Sequence, residues 1–376
     1  MDTSPPTVQY NESDCREMRV ISTSTHLLAV LFAQTIISII SLPLLIIAIR
    51  DVLRIALIHF NTKLIIIVYI GGLMVHSLSR ITLHTTDLVV YLSSHESDCD
   101  MFPSFLRCLL MRIPLVASLT FVCTSNLMIA MERHVSTYKA KTYESNRSVG
   151  FLLVGLQAII AGTLVFVMYS GTKFNLNTRL FYCLATAADH PFRTIAPIST
   201  LIILQFSAMI ILKVTERENT KRSIEQRLNP DLKVRYNVGE NLRTITIVIP
   251  FCYSCCFFTT LFTLVSCFVI FFNHIFEKPM YFALLEASLL LPVYSLMVPG
   301  LIRRMNRRVN QKNRSALQHH INSSKSVSVT SVYFDPSTWA WMNEREEEKT
   351  KAAHHEIDDV GVSLRKHRVR DVNSEH

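Results

Sequence analysis

The chain has 376 residues, of which 49% are hydrophobic and 18% charged, with a net charge of +9. Its mean hydropathy is +0.29 and its pI near 9.1. That profile excludes a disordered or collagen-like chain and a disulfide-dense secreted scaffold. Nine glycines argue against a glycine-dependent nucleotide fold. Charge well below the ~25% usual in soluble domains points to a membrane protein, provided the apolar residues are clustered.

They are clustered. In chain order, residues 1–24 are polar and carry no signal-peptide pattern, so the first span is expected to act as its own insertion signal. Seven apolar stretches follow, at His26–Ile49, Leu64–Leu92, Leu109–Met131, Val149–Ser170, Ile195–Leu212, Ile245–Phe272 and Met280–Ile302. The first holds no Asp, Glu, Lys or Arg over 24 residues, long enough as a helix to cross ~30 Å of hydrocarbon. The expectation is an all-α membrane protein, a seven-transmembrane helix bundle over residues 25–302. It would lie between an extracellular N-terminus (1–24) and a largely disordered cytoplasmic tail (303–376).

Lys and Arg set the orientation. The odd-numbered connections together with residues 303–314 carry 21 of them, the opposite side 7. This bias places the N-terminus outside. Asn11-Glu12-Ser13 is then the one acceptor sequon on the outer side, and Asn11 the candidate glycosylation site. Cys15, Cys99, Cys108 and Cys183 fall in or beside outer segments, where disulfides persist. Four cysteines can pair in three ways, and sequence does not choose among them. The preferred pairing joins Cys108 to Cys183 and Cys15 to Cys99. The other five cysteines lie in spans and read as small packing residues.

Two groups of polar residues stand out. In the second span, His76, Arg80, His84 and Asp87 are spaced 4, 4 and 3 and share one helical face. Arg112 lies one turn below Cys108, and Glu286 lies in the outer part of the seventh span. Charges at such depth cost ~2.5–3.5 kcal/mol each on insertion scales, so they should face the bundle interior and be paired. Arg80, His84, Asp87, Arg112 and Glu286 are therefore candidate ligand-binding residues. The alternative is an internal salt-bridge network, for example Arg80–Asp87 or Arg112–Glu286. The second group is Glu132-Arg133 at the far end of the third span. Arg133 lies 25 residues from Cys108, roughly 37 Å of helix, or one membrane thickness with its interfaces. By itself Arg133 would also serve as a positive-inside anchor.

The run from Met131 to Glu144 (MERHVSTYKAKTYE) resembles the second intracellular loop of nematode serpentine chemoreceptors of the Sra superfamily (Sra, Srab, Srb and Sre), most of all Srab. His59-Phe-Asn61-Thr-Lys63 and the segment Arg80 to Leu88 are similar to that group too, and the likeness covers about residues 15–310. The resemblance implies a seven-helix receptor coupled to a heterotrimeric G protein, at the plasma membrane of a chemosensory neuron and in its cilia. Its ligand would be a small-molecule odorant or other chemical cue. The resemblance also implies that Glu132, Arg133, Tyr143 and Glu144 serve coupling and activation. The seventh span departs from the rhodopsin-type Asn-Pro-x-x-Tyr pattern. It reads Leu291-Pro292-Val293-Tyr294, without the Asn and with Tyr one position early.

No catalytic, phosphate-binding or metal-ligand motif is present, and the chain reads as a non-enzyme without cofactor or metal. Met280–Ile302 holds no lysine for a retinal Schiff base. The basic end, Arg365 to Arg370, is too short to argue for nucleic-acid binding. Lys213–Arg243, with eight basic and five acidic residues, is patterned to extend the fifth and sixth spans as helices. Arg303, Arg304, Arg307 and Arg308 suit anionic lipid headgroups. A Ser/Thr-rich stretch at 322–331 suggests a kinase or arrestin as a further partner. The competing function is a multi-pass transporter or channel for a small polar solute, against which the chain shows no internal repeat and one Gly-Gly break, at Gly71-Gly72.

Overall fold

The computed structural model describes residues 11–55, 58–95, 97–139, 143, 147–170, 182–183, 191–225 and 232–326. The bundle belongs to a compact unit that ends at Lys312. Nine helices are described: α1 (Glu12–Ser22), α2 (Thr25–Arg54), α3 (Phe60–Leu92), α4 (Phe105–Tyr138), α5 (Ser148–Tyr169), α6 (Pro191–Glu225), α7 (Leu232–Phe271), α8 (Lys278–Ser288) and α9 (Leu291–Ser326). Seven helical stretches are long and apolar enough to cross a membrane: α2 to α7, and α8 with the first part of α9 taken together. Each covers the corresponding expected stretch to within one residue and most extend beyond it, because helical hydrogen bonding continues into polar turns where hydropathy stops. The fourth and sixth spans stop one residue short, at Tyr169 and Phe271. The extension is greatest at the charged connection between the fifth and sixth spans. There α6 runs on to Glu225 and α7 begins at Leu232.

α4 is the central helix, packed against α3, α5, α6 and α7. It can occupy that place because its buried surface includes a run of small or polar residues, Ser118, Thr124, Ser125 and Asn126 among them. These admit close neighbours, as small residues do where helices meet in membranes. α5 is the most peripheral span. It turns Phe151, Leu152, Ile159 and Phe166 outward, as expected of a lipid-facing helix. It approaches α3 closely at one point, where a Cβ added to Gly150 would lie 2.9 Å from Asn61 Oδ1 and 3.1 Å from Asn61 Cα.

The seventh span is broken in two. Pro292 has no N–H to bond the carbonyl of Ser288 four residues back, and its ring would clash with it in a continuous helix; Leu289 leaves the helical region with ψ 77°. The break leaves Glu286 in the last turn of the 11-residue helix α8. The carbonyl of Glu286 accepts from the Leu289 N–H at 3.2 Å in the cap and also from Gln34 Nε2 on α2 at 3.4 Å, so a neighbouring span is tied to the break.

Two features lay beyond the sequence reading. The first is α1, an amphipathic helix that buries Cys15, Met18 and Ile21. The second is the hydrogen bond of 2.7 Å between the hydroxyls of Tyr69 and Tyr294 in the core. Both disulfides form at one end of the bundle, Cys15–Cys99 with Cα atoms 4.7 Å apart and Cys108–Cys183 with 5.0 Å. Cys15–Cys99 ties α1 to the 3-10 turn at Asp98–Met101, and Arg19 adds an ion pair to Asp98 at 3.3 Å. We call this the disulfide end and its opposite the Arg133 end.

Candidate functional site

The stripe on α3 is wholly interior: His76, Arg80 and His84 have no exposed surface, and Asp87 has 1%. Arg112 arrives from α4 and Glu286 from α8, so three spans converge at one level of the disulfide end. Glu286 is the hub. One of its oxygens pairs with Arg112 and accepts from the Tyr182 hydroxyl at 3.1 Å. The other lies 3.5 Å from Arg80 Nη1 and 3.7 Å from His84 Nε2. Of the two salt bridges offered as examples, Arg112–Glu286 forms and Arg80–Asp87 does not. Asp87 is seven residues from Arg80, about 10 Å along the helix. It pairs instead with Arg107 in the first turn of α4, at 2.5 Å.

Arg107 and Tyr182 were not among the residues singled out from sequence. Arg107 sat in a connection, where a lone arginine carries no signal. Tyr182 is brought in by its neighbour Cys183, which the disulfide holds against Cys108. Its ring stacks on Phe282 with centroids 4.9 Å apart, and Arg112 sits 5.8 Å above it. Burial, reinforced by the Glu286 carboxylate, pushes the Tyr182 phenol well above its ordinary pKa, so it remains a donor.

At the Arg133 end a second cluster is built around adjacent residues of α4. Arg133 is 2% exposed and Glu132 not at all. Arg133 pairs with Glu132, donates to Thr62 Oγ1 on α3 at 2.6 Å and reaches Asn241 Oδ1 on α7 at 3.0 Å. Thr62 in turn donates to Glu132 at 3.1 Å. The Tyr143 hydroxyl donates to Glu132 and accepts from Asn61 Nδ2 at 3.0 Å. Burial, and next the Glu132 carboxylate, raise the Tyr143 phenol above its ordinary range. Glu144 lies outside the described residues. Around Thr137, one turn further along α4, Asn219 of α6 and Asn241 of α7 donate to its hydroxyl at 2.7 and 2.8 Å. The asparagines Asn61, Asn219 and Asn241 were not anticipated, since a single Asn in a polar connection carries no pattern.

Among the described residues no group of three or more His, Cys, Asp or Glu is placed to hold a metal ion. An apolar recess near the Arg133 end, lined by Val52, Ile66, Val248 and Phe251 among others, measures ≈ 10 Å³, room for about one water.

The model of the serpentine type 7TM GPCR receptor class ab chemoreceptors, Srab, matches residues 12–342. The chain belongs to this family. The match reaches beyond the 15–310 of the sequence resemblance into the tail. Serpentine receptor class alpha/beta-14 of Caenorhabditis elegans is 26% identical over 160 residues, 41% of this chain and 40% of the relative. Serpentine receptor class beta-16 of the same organism is 22% identical over 190 residues, 50% of this chain and 55% of the relative. The matched regions thus span about half the length of these curated relatives. The Srab chain is therefore a multi-pass membrane protein of a chemosensory receptor family, and that family is one of receptors, not of enzymes.

Proposed function

We propose that this Srab chain is a G-protein-coupled chemosensory receptor that binds a small-molecule cue at the disulfide end and activates a heterotrimeric G protein at the Arg133 end. The observation that carries the reading is the tethering of Arg133. Its guanidinium is buried and bound to groups on α3, α4 and α7, so it becomes available to a partner only when those helices part. A positive-inside anchor would instead reach outward to headgroups. Glu132, Tyr143 and Glu144 belong to the same coupling region, and the protruding parts of α6 and α7 flank it.

The disulfide end faces outward in this reading. Disulfides persist in oxidising compartments, and Lys and Arg concentrate at the other end. Exposed Asn11, just ahead of α1, is then a glycosylation site. Residues 1–24 are extracellular, 25–302 form the receptor domain, and residues 303–376 are cytosolic. The exposed Arg304, Arg307 and Arg308 meet anionic lipid headgroups, and a kinase or arrestin acts on the tail. The protein resides in the plasma membrane of a sensory neuron, in its cilia. The ligand-binding residues are Arg80, His84, Asp87, Arg112 and Glu286.

The test is expression with a promiscuous G protein and a screen of volatile and water-soluble cues for calcium signals. A cue that signals through the wild type and not through Arg133→Gln is the expected result. Ligand-evoked current or uptake that persists in Arg133→Ala without G-protein signalling overturns the reading and favours a transporter.

A further inference from the structure

Arg80 is fully buried yet mostly unused. Among the described residues only its Nη1 has hydrogen-bond partners, His84 Nε2 at 3.3 Å and Glu286 Oε2 at 3.5 Å, both long for bonds made by a cation. Its Nε and Nη2 are buried without any hydrogen-bond partner. Those two nitrogens form the edge of a guanidinium that grips both oxygens of a carboxylate in parallel. His84 Nδ1 is also buried and unpartnered. With Nε2 accepting from Arg80 Nη1, the imidazole proton sits on Nδ1, which is a third open donor in the cluster.

The charge balance at this level is equally one-sided. Two guanidiniums, Arg80 and Arg112, share the single carboxylate of Glu286. Among the described residues, the other acid of this cluster, Asp87, is matched by Arg107 at 2.5 Å. His76 and His84 can only add positive charge, and Tyr182 stays a neutral donor. Among the described residues one positive charge is therefore in surplus inside an apolar bundle. Leaving a buried cation unmatched is costly, and in a membrane interior such groups are paired or functional.

We infer that the cue recognised at this site is a small organic monocarboxylate, held by the free edge of Arg80 with His84 as a second donor. The inference deepens the receptor reading and rests on it for the site's role. One surplus charge suits a monoanion better than a doubly charged phosphate ester. The location, 12 residues from the Leu92 end of α3 and thus ~18 Å down the helix, favours an anion attached to a short apolar chain that sheds water readily. The bound carboxylate takes over Arg80 from Glu286, leaving Glu286 to Arg112 and Tyr182.

The test reads binding without any G protein. The full-length chain in lipid nanodiscs is heated in the presence of straight-chain monocarboxylates from acetate to decanoate, each beside its primary amide, and beside inorganic phosphate. A ligand that binds the native state raises Tm, through a stabilisation that grows with the free ligand concentration L as RT ln(1 + L/Kd). At least one carboxylate should stabilise the wild type while its amide and phosphate do not. Arg80→Lys, which keeps the charge and loses the fork, should weaken that carboxylate about tenfold or more. Glu286→Gln, which removes the competing carboxylate, should strengthen it. Equal effects of acid and amide, or no effect of any acid on the wild type, overturn the inference even if neither variant folds. A carboxylate that binds but never signals in cells would leave the inference standing and count against the receptor reading.

Discussion

The two ends of the bundle bury the same chemistry in opposite states of completion. At the Arg133 end one arginine meets one glutamate. Every guanidinium nitrogen has a partner, from Glu132, Thr62 or Asn241. At the disulfide end two arginines meet one glutamate, and four guanidinium nitrogens, Arg80 Nε and Nη2, Arg112 Nε and Arg107 Nε, have none. A saturated ionic cluster holds helices together and gives way only when they separate. An unsaturated one stores the cost of unmatched donors and recovers it when a ligand supplies acceptors. The closed cluster sits where α4 meets α3 and α7, and the open set of donors where α3 meets α4 and α8.

The contrast can be broken by removing each acid in turn. Glu286→Ala leaves two buried cations without a counter-ion and should cost about 3–5 kcal/mol or more. Glu132→Ala leaves one cation still bonded to Thr62 and Asn241 and should cost less. Thermal unfolding followed by a thiol-reactive fluorophore reads both, because Cys123, Cys252, Cys255 and Cys256 are buried and free. Equal losses would dissolve the distinction between the ends.

The next effect belongs to the disulfide end alone. Cys108→Ser and Cys183→Ser should each lose about 2–5 kcal/mol and lower surface expression to the same degree, the double variant no further than either single one. Unequal losses would mean that one of these cysteines acts outside the bond.

A smaller change sharpens the account of the Arg133 end. In Gly150→Ala the new methyl collides with Asn61, whose amide donates to the Tyr143 hydroxyl, at a cost of about 1–3 kcal/mol. Gly155→Ala, on the same helix with nothing within 4 Å of the new Cβ, should be neutral or slightly stabilising. Chemical denaturation of the two variants side by side provides the comparison. The smallest effect is that of Tyr143→Phe, which removes one donor from Glu132 for about 1 kcal/mol. Under the proposed function it should raise basal G-protein activity measured without ligand.

Much of this architecture was legible in the order of residues. Helical spacing put His76, Arg80, His84 and Asp87 on one face, and all four are buried on it. Hydropathy located seven spans, since ~20 apolar residues in a row leave few alternatives. The compartment logic of cysteines named the four that pair. The partners were not legible. Nothing in the spacing told Asp87 to choose Arg107 over Arg80, or brought Tyr182 onto Glu286, or joined Tyr69 to Tyr294 across 225 positions.

Sequence by itself thus determined which segments enter the membrane, which family they belong to and which residues are too polar to face lipid. Those are properties of single segments in contact with a solvent. Tertiary structure alone decided that Glu286 is shared by two arginines while Glu132 serves one. Charge matching between helices depends on the level at which each span places its side chain. That level was set by packing around α4, by the Cys108–Cys183 bond and by the break before Leu291, and local pattern carries no measure of it.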